Sequence, residues 1–571
     1  MLCIFFKCTN IFTRGTRTLK NSLTFLSCTI ATISLLLSSC GNGSDTTIEG
    51  EAAAATETTL SIDQALRINL FTEPPTLDPG KATDSTSFHV LKMMFEGLTR
   101  IQPDGKPAPA AADQIEVSAD LKMYRFTLRD AKWSNGDPVT AYDFEHAWKE
   151  VLRPGSDAPY AYQLYAIKNG EDVKKGKATL EELGIEVVDD KTLVVTLENP
   201  TPYFLELTAF CTYYPINKNV TRQNQDWSQD AGENYVSNGP FTLSSWQHHN
   251  KLEVVKNPNY WDAKNVRLDK ISMVMISDTS TELSMFENEE LHWAGRPISR
   301  LPADAIPSLR RDGKLNSQAV AGIEWYKFNT GRFPFNNIKM RKAFTIAINR
   351  KVIIEQLMPD NHKVATGLVP TPLTLQESPF FPDGDVEQAR QLFEEALVEI
   401  GITKDDLPSI SLSYNSNEAH HRLAQAVQQQ WFKTFGVRVI LEASEWKVHI
   451  SKLRKHDYQI ARLGWVADFR DPINFLEVFR YKNDPIAGGN NDTQWENPEY
   501  ARLLEESSGI SDPDDRKTVL HQAETLIMNE MPVAPIYFMM DNYVKDPKLK
   551  GAYLSGLGDV DFKWAYFENH L

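Results

Sequence analysis

The chain reads as an α/β protein with a largely parallel sheet, because short β-rich runs alternate with amphipathic helices along its length. Residues 193–197 and Lys251–Lys256 are compact β-branched runs of strand length. Residues 385–400 place apolar side chains at Val386, Ala389, Leu392, Phe393, Leu397 and Ile400, a helical spacing with Asp385 as N-cap and Gly401 as the stop. Glu418–Phe435 is a second such helix, closed by Gly436, and residues 437–441 resume as a strand.

Upstream the same logic applies. Residues 67–71 alternate as a short strand and lead into the Pro-rich turn at 73–79. Residues 88–97 are helical by the spacing of Val90, Leu91, Met94 and Phe95, and Gly97 ends the run. A strand is predicted at 124–129, then a tight turn at Asn135-Gly136-Asp137-Pro138. Thr140 follows as the cap of a helix whose buried face is Phe144, Ala147, Trp148 and Val151. No internal repeat is visible.

At 571 residues, two to four domains are expected. The formal net charge is −16, and the first 39 residues hold four basic side chains (Lys7, Arg14, Arg17, Lys20) and no acidic one. The remainder therefore carries −20, which disfavours nucleic acid as a partner, since its backbone requires a basic patch. Residues 1–39 have the layout of a secretory signal: basic residues, an apolar and Ser/Thr stretch at 23–37, then small residues. Leu37-Ser38-Ser39-Cys40 resembles a bacterial lipobox, making Cys40 the expected lipidated first residue of an exported, membrane-tethered protein. Residues 40–59 read as a flexible tether. Cys211 alone then remains in the mature body, so stability must come from a large core and not from an internal disulfide.

Catalytic signatures are missing from the sequence. There is no HExxH, Walker loop, GxSxG or paired CxxC. His248-His249 and His420-His421 are adjacent pairs whose side chains diverge, so neither makes a metal site by itself. No cofactor or metal is expected, and the chain reads as non-enzymatic. One stretch does carry recognition chemistry: Ala461-Arg462-Leu463-Gly464-Trp465-Val466-Ala467-Asp468-Phe469-Arg470-Asp471-Pro472. It is a strand running into a turn, with a cation and an anion roughly 20 Å apart when extended at ~3.3 Å per residue. That separation suits a zwitterion with distant ends, such as a short peptide.

Several segments resemble the extracytoplasmic solute-binding proteins of family 5, the peptide-binding proteins of ABC importers, and within them the oligopeptide-binding subfamily. The likeness rests on residues 73–79, Phe95-Glu96-Gly97-Leu98, the block 133–144 with Trp148, Val236-Ser237-Asn238-Gly239-Pro240-Phe241 and Asn257-Pro258-Asn259-Tyr260-Trp261. It continues through Arg341-Lys342-Ala343, Ala347-Ile348-Asn349-Arg350, residues 414–424 and the 461–472 stretch, from about residue 60 to the end. The resemblance implies a three-lobed type II, Venus-flytrap fold: lobe I from 60–86, 210–313 and 536–571, lobe II from 87–209, lobe III from 314–535, with a hinge between two ligand-enclosing lobes. It also implies site roles. Asp468 would pair with the peptide α-ammonium, and Gly464, Trp465, Val466 and Ala467 would line the peptide backbone. Arg462 and His420 would meet the C-terminal carboxylate at different peptide lengths, and Glu73, Tyr160, Trp465 and Asn238 would line the cleft.

The resulting expectation is a monomeric, lipid-anchored receptor on the outer face of the cytoplasmic membrane or in the periplasm, handing short peptides to an importer permease. A relative specialised for glutathione, a nickel chelate or haem stays open, as does a peptide sensor. A surface hydrolase using some Glu/Asp pair is the reading from another class.

Overall fold

A computed structural model describes residues 63–358, 360–482 and 491–568. The signal segment, the tether and Cys40 lie outside the described residues. Three larger sheets organise the chain. The first has four strands in the order Ala65–Asn69, Lys270–Val274, Lys251–Lys256, Phe241–Gln247. The second also has four, in the order Ala112–Val117, Met123–Leu128, Thr192–Thr196, Ile185–Asp189. The third has seven, and its spine is the run Trp293–Gly295, Val533–Lys545, Asn316–Phe328, Ile460–Val466, Ser411–Asn415, Ile440–Ser444. The two-residue strand Lys363–Val364 joins it alongside Val533–Lys545.

The expectation of a largely parallel sheet is corrected here. Parallel pairing is confined to Ala65–Asn69 with Lys270–Val274 and to Ser411–Asn415 with each of its two neighbours. Every other pairing in the three sheets is antiparallel. Amphipathic helices imply crossovers only where the next strand returns to the same sheet, as it does after Glu418–Phe435. Hairpins instead give antiparallel neighbours, as between Phe241–Gln247 and Lys251–Lys256.

The element expectations otherwise match, with shifted ends. Val386–Ile400 is capped by Asp385, whose side chain accepts from the Gln388 amide, and Gly401 closes it at φ 79°. Gly436 closes Glu418–Phe435 at φ 72°, and the following strand begins at Ile440, three residues later than the sequence suggests. The first helix is Ser85–Met94, starting earlier because Asp84 caps it. Ala141–Leu152 begins at Thr140, and the N3 residue Asp143 completes a capping box.

Buried charges tie distant segments together. Arg341 donates to the carbonyls of Glu530, Met531 and Phe335, and Arg350 to those of Pro535, Ile348 and Thr345. Arg100 forms a fork with Asp561 at 2.9 and 2.8 Å, and Lys92 meets Asp559 at 2.6 Å, so the C-terminal segment is pinned to the stretch around the first helix. The two 13-residue strands Asn316–Phe328 and Val533–Lys545 lie antiparallel through the middle of the molecule, and a side chain at Gly322 would strike Met539 Sδ at 2.8 Å. Among the described residues no helix is long and apolar enough to cross a membrane.

The capping box offers a stability test. The buried Asp143 carboxylate accepts from Thr140 N at 2.9 Å, Trp133 Nε1 at 3.3 Å and Lys218 N at 3.2 Å. Asp143→Ala removes a cap and orphans three donors, so a loss of about 2–4 kcal/mol is expected from urea denaturation, with Asp143→Asn losing about half as much.

Candidate functional site

The site grows from the pairing of Ile460–Val466. One edge pairs along its whole length with Asn316–Phe328, from Ile460 opposite Phe328 to Val466 opposite Gly322. The other edge meets Ser411–Asn415 only at Ile460 and Ala461. From Arg462 to Val466 that edge carries no strand among the described residues. The Ala467 amide donates to the Ala321 carbonyl at 2.9 Å, so by strand alternation the peptide groups of Gly464 and Val466 face the open edge. The Arg462 carbonyl faces the same way and accepts from His449 Nε2 at 2.8 Å. That bond fixes the His449 proton on Nε2.

At one end of this edge stands a compensated cation. Arg462 Nε and Nη2 both donate to the fully buried Glu324 carboxylate, opposite Gly464 in the pairing, while Nη1 reaches Asn415 Oδ1 at 3.2 Å. Burial works against the Arg462 charge, and Glu324 more than offsets it; burial pushes the Glu324 carboxyl up while Arg462 pulls it down. A Cβ at Gly464 would lie 3.1 Å from Glu324 Oε2, so the glycine makes room for this ion pair. His420 lies close by, its imidazole brought down to about 4 by burial and by the Arg462 charge. It is therefore neutral at pH 7.

At the other end stands an uncompensated anion. Burial pushes the Asp468 carboxyl up to about 6, against hydrogen bonds from Gln163, Tyr162 and Asn474. The Tyr162 hydroxyl donates to Asp468 Oδ2 at 3.5 Å. Asn474 Oδ1 accepts from Trp465 Nε1 at 2.8 Å and from the Asp468 amide at 3.4 Å, which fixes the indole and the turn together. Among the described residues no Lys or Arg forms an ion pair with Asp468. Tyr160 packs its ring 5.2 Å from Tyr162, 5.8 Å from Phe88 and 6.1 Å from Phe210, with its phenol pushed up to about 12 by burial and by Asp468.

The structure thus brings Asp468, Tyr160, Trp465, Gly464, Arg462 and His420 into one run. Val466 is 44% exposed beside it, and Ala467 is buried in the strand pairing. Glu73 and Asn238 have other partners. Glu73 accepts from Trp246 Nε1 at 2.9 Å and the His249 amide at 2.6 Å, and it binds His248 Nδ1 at 2.9 Å. Asn238 is buried and exchanges both polar groups with the Glu96 backbone, at 3.0 and 2.9 Å. A cavity of about 400 Å³ bordered by Asp78, His146, Glu150 and Trp227 includes none of the residues of this run.

Sequence reading missed Glu324, Tyr162, Asn474 and His449. For Glu324 a signal existed: it is an acidic residue inside the apolar run Val320-Ala321-Gly322-Ile323-Glu324-Trp325-Tyr326, and a buried charge requires a partner. Asn474 and His449 carry no such mark, because their partners are set by the turn after the strand and by the packing of Trp446–Arg454.

The family model for bacterial extracellular solute-binding proteins, family 5 (middle region), matches residues 106–487. The chain belongs to this family. It is a solute-binding protein, not an enzyme. It is 48% identical over 540 residues to the oligopeptide-binding protein OppA of Bacillus subtilis, covering 94% of this chain and 97% of that one. It is 35% identical over 511 residues to the dipeptide-binding protein DppE of the same organism, covering 88% and 92%. Among solved structures, Haemophilus influenzae OppA in complex with the peptide RPPGFSPFR matches with a TM-score of 0.71 at 30% identity, over 89% of this chain and 99% of that one. The Escherichia coli murein tripeptide-binding protein MppA matches with a TM-score of 0.73 at 28% identity, over 90% and 100%. These likenesses agree with the three-lobed type II binding-protein fold expected from the sequence.

The Asp468 carboxyl has a consequence for stability. Its value in the folded chain, about 6, exceeds the ordinary 3.8, so the folded state binds that proton more tightly than the unfolded chain. This contribution is fully present below pH ~4 and is lost as pH rises through ~6. Asp468→Asn should therefore stabilise the protein without ligand at pH 7.5 by on the order of 2 kcal/mol, the gain fading below pH 4, as read by thermal melts across pH.

Proposed function

We propose that this chain captures short peptides outside the cytoplasm, holding the α-ammonium on Asp468 and the backbone along the open edge from Gly464 to Val466, and delivers them to an ABC importer. The observation that carries the reading is Asp468: a half-buried carboxylate without a cationic partner among the described residues, at the end of an unpaired strand edge. A primary ammonium supplies the missing charge, and an extended backbone supplies the donors and acceptors an added strand would bring. Names of relatives point the same way, since the protein 48% identical to this chain is an oligopeptide-binding protein.

The distal end refines the reading. Arg462 has its fork on Glu324, and His420 is neutral, so that end offers a hydrogen-bonding rather than a strongly cationic surface to a carboxylate. The two four-stranded sheets favour the lobe limits 60–86, 210–313 and 536–571 (lobe I), 87–209 (lobe II) and 314–535 (lobe III). Each four-stranded sheet falls wholly within one of the first two lobes, and the seven-stranded sheet carries the crossing strands. Lipidation at Cys40 would tether the receptor to the membrane, and a monomer would serve one permease at a time.

Isothermal titration with trialanine and with N-acetyl-trialanine tests the reading. Free trialanine is expected to bind at pH 7.5, with acetylation or Asp468→Asn weakening it by about 100-fold or more, the loss of a buried charge-assisted bond. Affinity should also fall as pH drops through about 6, where Asp468 takes up its proton. Equal binding of the acetylated peptide would refute ammonium recognition.

A further inference from the structure

The four residues Asp468 to Asp471 do two things at once. Asp468 is the ammonium-recognising carboxylate proposed above. Its neighbours make contacts with the body built on the Ala112–Thr196 sheet. Phe469, 9% exposed, lies on Tyr203 with ring centroids 4.5 Å apart and planes at 5°. Arg470 Nη1 donates to the Gly105 carbonyl at 2.7 Å. Gly105 sits at φ 79° in the turn between Thr99–Ile101 and Pro107–Pro109, and its ideal Cβ would lie 3.0 Å from Arg470 Cζ, so the guanidinium rests directly on the turn. The Tyr162 hydroxyl at 3.5 Å from Asp468 belongs to the same opposing body.

The strap is anchored on its own side. Asp471 accepts from Arg516 Nη1 at 2.5 Å and Nη2 at 2.9 Å, and Arg516 Nε donates to the Ser507 carbonyl at 3.1 Å. The Asp471 amide closes back onto the Phe469 carbonyl at 2.9 Å, and its carboxylate accepts from the Ile473 amide at 2.9 Å. Asp468 lies three residues from Asp471, whose carboxylate is held by Arg516. The two residues between them are those that grip the opposite body.

We infer that Phe469 and Arg470, against Tyr203 and the Gly105 carbonyl, form a closing strap that holds the two bodies together and sets the dwell time of any bound peptide, whatever its side chains. These are positioning residues: they touch the opposite lobe and act on the ligand through Asp468. The inference rests on the peptide reading, and its test separates the two.

The test uses full-length protein carrying Phe469→Ala, Tyr203→Ala or the milder Arg470→Gln, each checked for an unchanged far-UV spectrum. Stopped-flow binding of trialanine and of trilysine is expected to show dissociation at least tenfold faster in all three variants, association within about twofold, and the same factor for both peptides. In the Phe469→Ala/Tyr203→Ala pair the effects should be strongly non-additive. Hydrogen exchange without peptide should quicken at least tenfold in residues 201–207 when Phe469 is truncated, with the sheet strands unchanged. If wild type binds and the variants keep its dissociation rate, the strap is overturned and peptide binding stands. If wild type binds neither peptide, the peptide reading fails, and unchanged exchange at 201–207 then overturns the strap by itself.

Discussion

The antiparallel pairing of Ile460–Val466 with Asn316–Phe328 is the interaction on which the site depends. It sets Glu324 opposite Gly464, two residues along from Arg462 on the same face, and the buried ion pair follows. It uses one edge of the strand completely and leaves the other open beyond Ala461. It also delivers Asp468 to the turn where the strand ends. A one-residue slip would carry Arg462 and Glu324 to opposite faces and leave two buried charges unpaired, an outcome expensive enough to hold the register.

The two ends of the site use opposite electrostatic strategies. Arg462 has its charge satisfied by its own chain, so its cost of burial is met before any ligand arrives. Asp468 is left unsatisfied, and burial pushes its carboxyl upward. On the proposed reading, a cationic ligand would recover the stability given up at Asp468, a trade between fold and function. On that same reading, selectivity for a free amino terminus would reside at Asp468, the end whose charge the protein leaves without a cation among the described residues.

Rigid anchoring gives this polarity a mechanical reach. Asp471, held by Arg516, and Asn474, shared between Trp465 and the Asp468 amide, bond the turn from both sides. Phe469 and Arg470 project from that turn onto Tyr203 and the Gly105 carbonyl. The proposed recognition residue and the contacts to Tyr203 and Gly105 thus occupy consecutive positions.

Local elements were legible from the sequence because their signals are local. Asp385 and Gly401 bound one helix, Gly436 ends another, and Thr140 with Asp143 opens a third, all through backbone groups a few residues away. The stretch from Arg462 to Asp468 was legible as chemistry, since an anion and a cation on one strand need no tertiary context to be noticed. Sheet direction was not legible: strand–helix alternation suggests parallel neighbours, yet hairpins and long crossing strands made most pairs antiparallel. Nor was the fate of Glu73 and Asn238, whose partners His248 and Glu96 lie far along the chain. The sequence alone determined which charges are present and how far apart they sit on one strand. Only the tertiary structure decided which charge is neutralised and which is left free, because Glu324 reaches Arg462 across a sheet pairing 138 residues apart, whereas no cation among the described residues reaches Asp468.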